Sequence, residues 1–187
     1  MPRLLVHSSH LARSRVRAST TLAVMVCCAF AQAQVIDSTY ILAVDRHVHE
    51  IDSAKDYEIR TLENEEFLEQ MTDGGGELTG MLKNGELLKV DERVGLSSCV
   101  EVTEYYFENS QLVFVSAQGL EFAYVDSTGS FDPGVQHVTM EGRFYYRKGD
   151  AAPVLLKGST RCGGAPTKEW AAVYRTEAKR LKDLLMR

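Results

Sequence analysis

An α+β fold, a single antiparallel β-meander of about seven strands with an N-terminal and a C-terminal helix, is what this 187-residue sequence predicts. Two observations carry the prediction. An apolar run, a polar turn and a second apolar run recur three times between Glu77 and Lys157, which is the local signature of a β-hairpin. The flanking segments 36–53 and 166–186 instead carry apolar residues at helical spacing. Hydrophobic content of 44% and charged content of 25% are ordinary for a globular protein, and the length suits one domain.

Residues 1–33 read as a secretory signal peptide rather than as part of that domain. Arg3, Arg13, Arg15 and Arg17 form a basic region without acids, Thr21–Ala31 is a short apolar run, and Ala31-Gln32-Ala33 is a small-x-small cleavage site. The apolar run is short for a bilayer span, so cleavage before Gln34 and no stable membrane insertion are expected, with the domain at 34–187 periplasmic or secreted. Cys27 and Cys28 leave with the leader; Val26 and Cys27 before them are the wrong residues for a lipidated cysteine. Without the four arginines, 17 basic residues remain against 26 acidic ones, a net charge of −9. Such a domain lacks the clustered cations that neutralise phosphates, so nucleic acid is not an expected partner, and anionic lipid repels it.

Along the domain, Ile41, Val44, Val48 and Ile51 fall at spacings of 3, 4 and 3, with Asp37 or Ser38 as cap, which predicts a helix over 36–53. The sheet is expected over 57–158. Tyr57, Ile59 and Thr61 alternate with charge as in a strand, and 63–70 fits a helical turn or an edge strand. Asp73-Gly74-Gly75-Gly76 lacks the following helix and the lysine of a phosphate-cradling loop and reads as a plain break.

Asn84-Gly85 is a strong tight-turn signal because both residues tolerate positive φ. Its register predicts Leu82 opposite Leu87 and Met81 opposite Leu88. Around Asn109-Ser110, Phe107 should face Leu112 and Tyr105 should face Phe114, leaving Tyr106, Val113 and Val115 on the other side. Leu120–Val125 alternates as a further strand, 126–134 reads as a polar loop, and Val138, Met140, Gly142, Phe144 and Tyr146 mark one face of a long strand returning through Val154–Lys157. Pro166 and Thr167 open the last helix, 166–186, whose stripe is Trp170, Val173, Tyr174, Ala178, Leu181, Leu184 and Leu185. Cys99 and Cys162, the two cysteines of the domain, are expected to form one disulfide in an oxidising compartment.

The chemistry-bearing motifs are weak. His47-x-His49 has the wrong spacing for two zinc ligands on one side of a helix. Asp126-Ser127-Thr128-Gly129 differs from an aspartic-protease loop by an inserted serine and has no second copy. Gly95-Leu96-Ser97-Ser98-Cys99 lacks the closing glycine of a nucleophile elbow. No catalytic residue, metal site or cofactor is predicted.

The segments Gly-Glu-Leu-Thr-Gly (76–80), Leu-Lys-Asn-Gly-Glu-Leu (82–87), Glu-Tyr-Tyr-Phe-Glu-Asn (104–109) and Leu-Val-Phe-Val (112–115) resemble small exported proteins of Bacteroidetes-type bacteria. Those proteins repeat "EYYF-x-N-G-x-L-x-F-V" hairpins after a short N-terminal helix; more distantly, the pattern here is similar to MORN-like repeat proteins. The resemblance covers Ile41–Leu156; Ser110 stands at the usual turn glycine, 150–153 is an insertion, and the last helix lies outside. It implies a hairpin fold and no catalytic residues.

Apolar groups on both sheet faces motivate the expected function, a non-enzymatic envelope or secreted module that binds a protein, peptide or glycan. Tyr106, Val113, Val115 and Tyr145 are the expected ligand contacts. An exported hydrolase with a site near the 126–137 loop or at His47 and His49 is the alternative. The sequence leaves the oligomeric state open.

Overall fold

A computed structural model describes residues 37–148 and 150–187, so the leader reading of 1–33 lies outside the described residues. Helix α1 (Ser38–Ser53) is followed by β1 (Glu58–Glu63), a short 3-10 turn (Asn64–Glu66), β2 (Gly76–Lys83), β3 (Glu86–Gly95), β4 (Cys99–Glu108), β5 (Gln111–Val125), β6 (Ser130–Arg147), β7 (Asp150–Gly158) and helix α2 (Trp170–Leu185). The seven strands form one antiparallel sheet in chain order. The fold is the predicted α+β meander.

Each helix covers one face. On the α2 side Leu78, Leu82, Val90, Tyr105, Phe107, Val115, Phe144 and Tyr146 pack against Ala171, Ala178, Leu181 and Leu185. On the α1 side Tyr106, Val113, Phe114 and Tyr145 pack against Val44 and Ile51, with Ile41 and Val48 beside them. The helical stripe of the sequence is therefore the docked face of α1. Asp37 is the cap, its carboxylate accepting the Tyr40 N–H at 2.8 Å.

Both tight turns occur as predicted. Asn84 and Gly85 have φ of 54° and 77°, and Asn109 and Ser110 have 50° and 64°. The registers are right beside the turns and wrong beyond them. Leu82 pairs with Leu87, but Met81 pairs with Lys89. Phe107 pairs with Leu112, but Tyr106 pairs with Phe114 and Tyr105 with Val115. One extra residue, Leu88 or Val113, is bulged out of each ladder, and Val154 does the same between Arg143–Leu155 and Phe144–Pro153. A bulge offsets every later residue by one, so Val113 and Phe114 both serve the α1 side while Val115 turns to the α2 side.

Two further boundaries differ from expectation. The segment 126–134 is a tight turn only as far as Gly129, where Thr128 and Gly129 donate to the Val125 carbonyl at 3.2 and 2.9 Å; β6 then begins at Ser130. Pro133 falls in the bulge between the pairs Phe122–Gln136 and Ala123–Asp132, where a missing N–H is tolerated. Helix α2 starts at Trp170 rather than 166, because Pro166 is buried near Gly142 and Thr167–Glu169 forms a turn, with Trp170 N–H donating to the Thr167 carbonyl at 3.3 Å.

The glycine run closes the end of the sheet. Gly74 N–H donates to the Gly95 carbonyl at 3.2 Å and Gly95 N–H to the Gly75 carbonyl at 2.8 Å. A Cβ built on either Gly74 or Gly95 would lie 2.6 Å from the other's backbone, so no side chain fits. The Cys99–Cys162 disulfide, with Cα atoms 6.6 Å apart, ties the start of β4 to the segment leading into α2.

Candidate functional site

The four expected ligand contacts are core residues. Tyr106, Val113, Val115 and Tyr145 are 1%, 6%, 0% and 1% exposed. A ligand reaches them only by displacing a helix. Val115 lies under α2, and for the other three the reason lies in α1: Asp52 accepts the Tyr106 hydroxyl at 3.0 Å, and Asp45 accepts the Tyr145 hydroxyl at 2.6 Å. Asp45 also pairs with Arg143 at 3.1 Å and Asp52 with Lys89 at 3.0 Å. These two acids, seven positions apart on the docked face, let phenol rings be buried without stranding their hydroxyls. Lys89 itself is buried and also meets Asp91 at 3.1 Å and Glu104 at 2.7 Å. Burial alone would lower its pKa, but the Glu104 hydrogen bond and the Asp91 charge outweigh it and raise the value. This cluster locks α1 to the sheet.

The regions of the hydrolase alternative stand apart. His47 Nε2 is 3.1 Å from the Phe107 carbonyl, at the hairpin end of β5, whereas 126–129 is the turn at its other end. At about 3.3 Å per residue these ends are roughly 40 Å apart. His49 and His137 are exposed, and among the described residues no group of three or more His, Cys, Asp or Glu is placed to hold a metal ion.

A cavity of about 350 Å³ lies on the opposite face, between α2 and strands β3 to β6. The sheet contributes Glu92 and Val94, then Glu101, Thr103 and Tyr105, then Ala117 and Met140; α2 contributes Trp170, Val173, Tyr174 and Glu177. Strand pleat explains the set: Glu92 pairs with Thr103 and Val94 with Glu101, so they share the face that carries Tyr105. Spacings of four and three then bring Trp170, Tyr174 and Glu177 onto the facing side of α2. The rings lock edge to face, Tyr174 against Trp170 at 6.0 Å, Tyr105 at 6.3 Å and Phe144 at 5.2 Å. Val173 and Gly163 are exposed at the rim.

Three carboxylates enter this apolar chamber in different states. Glu177 is held by Arg180, whose guanidinium also donates to the Phe67 carbonyl at 2.8 Å. Glu92 accepts the Tyr105 hydroxyl at 2.8 Å, and burial pushes its pKa up to about 7 against that hydrogen bond. Burial also raises the Glu101 pKa, and among the described residues no side chain donates a hydrogen bond to Glu101. The site therefore offers aromatic walls, a carboxyl whose pKa burial pushes up to about 7 and an acid without a counter-ion among the described residues.

Searches against protein-family models, curated proteins and solved structures find no match.

Of the cavity residues, the sequence places Trp170, Val173 and Tyr174 on the docking stripe, as helix packing alone; Val173 is instead 62% exposed. The acids went unseen. Their signal was present: Glu92 and Glu101 lie at inward positions of strands whose neighbours on that face are apolar, an unusual place for a charge.

Proposed function

We propose that the protein is an exported, non-enzymatic binding module that takes its ligand into the chamber between α2 and the sheet. The observation that carries the reading is the chamber itself. It has the size of a small-ligand site, it is walled by Trp170, Tyr174 and Tyr105, and a few polar groups converge in it. The ligand is a small molecule, or the one protruding group of a peptide or glycan, because a space of about 350 Å³ admits a side chain or a ring and not a flat protein face.

Trp170 is the chain's single tryptophan and stands in the chamber wall, so its fluorescence reports occupancy without a label. A panel of benzyl alcohol, benzylamine, methyl glucoside and an aromatic tripeptide, titrated while tryptophan emission is followed, is expected to give at least one saturable response. That response should vanish when Thr103→Trp or Ala117→Phe fills the space. Emission unchanged by every probe, or a response that survives the filled variants, contradicts the proposal.

A further inference from the structure

We infer that the chamber takes an organic cation, a protonated amine on an apolar or aromatic body, and that its binding is coupled to ionisation of Glu92. The inference rests on the binding reading above and adds the ligand's charge.

The geometry separates the chamber's acids into one that is matched and two that are not. Glu177 is matched by Arg180, which binds it through two nitrogens. Glu92 and Glu101 approach from neighbouring strands β3 and β4 into a space whose other walls are Trp170, Tyr174, Tyr105, Val94 and Met140. The groups that face Glu92 can be named from every side. From β2 comes Leu78 and from β4 Thr103, neither charged; β4 also supplies the Tyr105 hydroxyl and Glu101, and α2 supplies Tyr174, Glu177 and Arg180. With Arg180 assigned to Glu177, the chamber lacks two positive charges when Glu92 and Glu101 are both ionised, and one while Glu92 keeps its proton.

A ligand ammonium supplies one of these charges. It gains from two carboxylates in a partly dehydrated site and from ring faces within reach, since aromatic walls stabilise a cation through their quadrupoles. An anion meets net repulsion there, and a neutral guest leaves the acids unmatched. Below neutrality Glu92 holds its proton, so cation entry expels that proton to solvent; above neutrality the acid is already charged and nothing is released. Affinity for a permanent cation therefore rises with pH through the neutral range.

Benzylamine, charged throughout the range, and the neutral isostere benzyl alcohol are titrated into the full chain at about pH 5.5 and about pH 8 with Trp170 fluorescence as readout. Proton release on benzylamine binding is measured in weak buffer at about pH 6. The expected result is benzylamine binding about thirtyfold more tightly at the higher pH, with about one proton released per chain at the lower. Benzyl alcohol should bind more weakly and without pH dependence. Glu92→Gln, its fold checked by circular dichroism, should abolish both the pH dependence and the proton release, and Glu101→Gln should weaken benzylamine alone. Equal binding of the two probes with no proton release overturns the cation assignment and leaves the binding reading standing. Trp170 emission indifferent to both probes removes both.

Discussion

At the scale of single residues, the protein's polar groups do opposite things on the two faces of one sheet. On the α1 side the buried cation Lys89 is answered by Asp52, Asp91 and Glu104. Removing the cation strands three acids, so Lys89→Met should cost about 3 kcal/mol in urea unfolding. On the α2 side Glu92 is not answered. Its pKa rises from 4.5 unfolded to about 7 folded, so the folded chain holds a proton that the unfolded chain has lost. The contribution of Glu92 to stability therefore falls as pH rises from about 4.5 to about 7 and levels off above, an effect of about 3 kcal/mol. Glu92→Gln should flatten that slope, measured by denaturant unfolding at intervals across the range. Ser110 is strained in a third way: it sits at φ 64°, where a side chain is costly, while its N–H serves Glu86 and its carbonyl accepts from Lys182. Ser110→Gly keeps both backbone bonds and should raise the thermal midpoint, a gain of about 1 kcal/mol.

At the scale of elements, the helices and hairpins were legible in the sequence and the ladders between them were not. Asn84, Gly85 and Asn109 fix the turns locally, because Asn and Gly tolerate positive φ, whereas Ser110 takes it at a cost. The bulges at Leu88, Val113 and Val154 leave no such mark, since any residue can be bulged and only the paired strand shows it. That one-residue offset is why Val115 changed faces and why a supposed binding surface became two cores. The cover over Tyr106 and Tyr145 had a readable clue in Asp45 and Asp52, but it gains meaning only when α1 is placed on the sheet. Helix α2 holds the chamber's outer wall through Leu181 and Leu185, both buried. Leu181→Ala should cost about 3 kcal/mol and loosen Trp170, seen as a red-shifted emission together with a lower unfolding midpoint.

At the scale of the molecule, a meander with a helix on each face has two cores and two sheet edges, and the disulfide joins the middle of the sheet to the approach of α2. Closing 63 positions of chain contributes about 4 kcal/mol by the entropy of the unfolded state, so Cys99→Ala with Cys162→Ala should lower stability by about that much in guanidinium unfolding. The consequence for function is positional, because the bond anchors the segment from which Trp170 enters the chamber. Ligand chemistry is assigned to the α2 face, and the α1 face is closed core. Chemical-shift mapping of the ¹⁵N-labelled protein during a benzylamine titration separates the two faces. Shifts are expected only at residues around Glu92, Glu101, Thr103 and 170–177; shifts centred instead on Tyr106, Tyr145 and α1 would overturn the assignment.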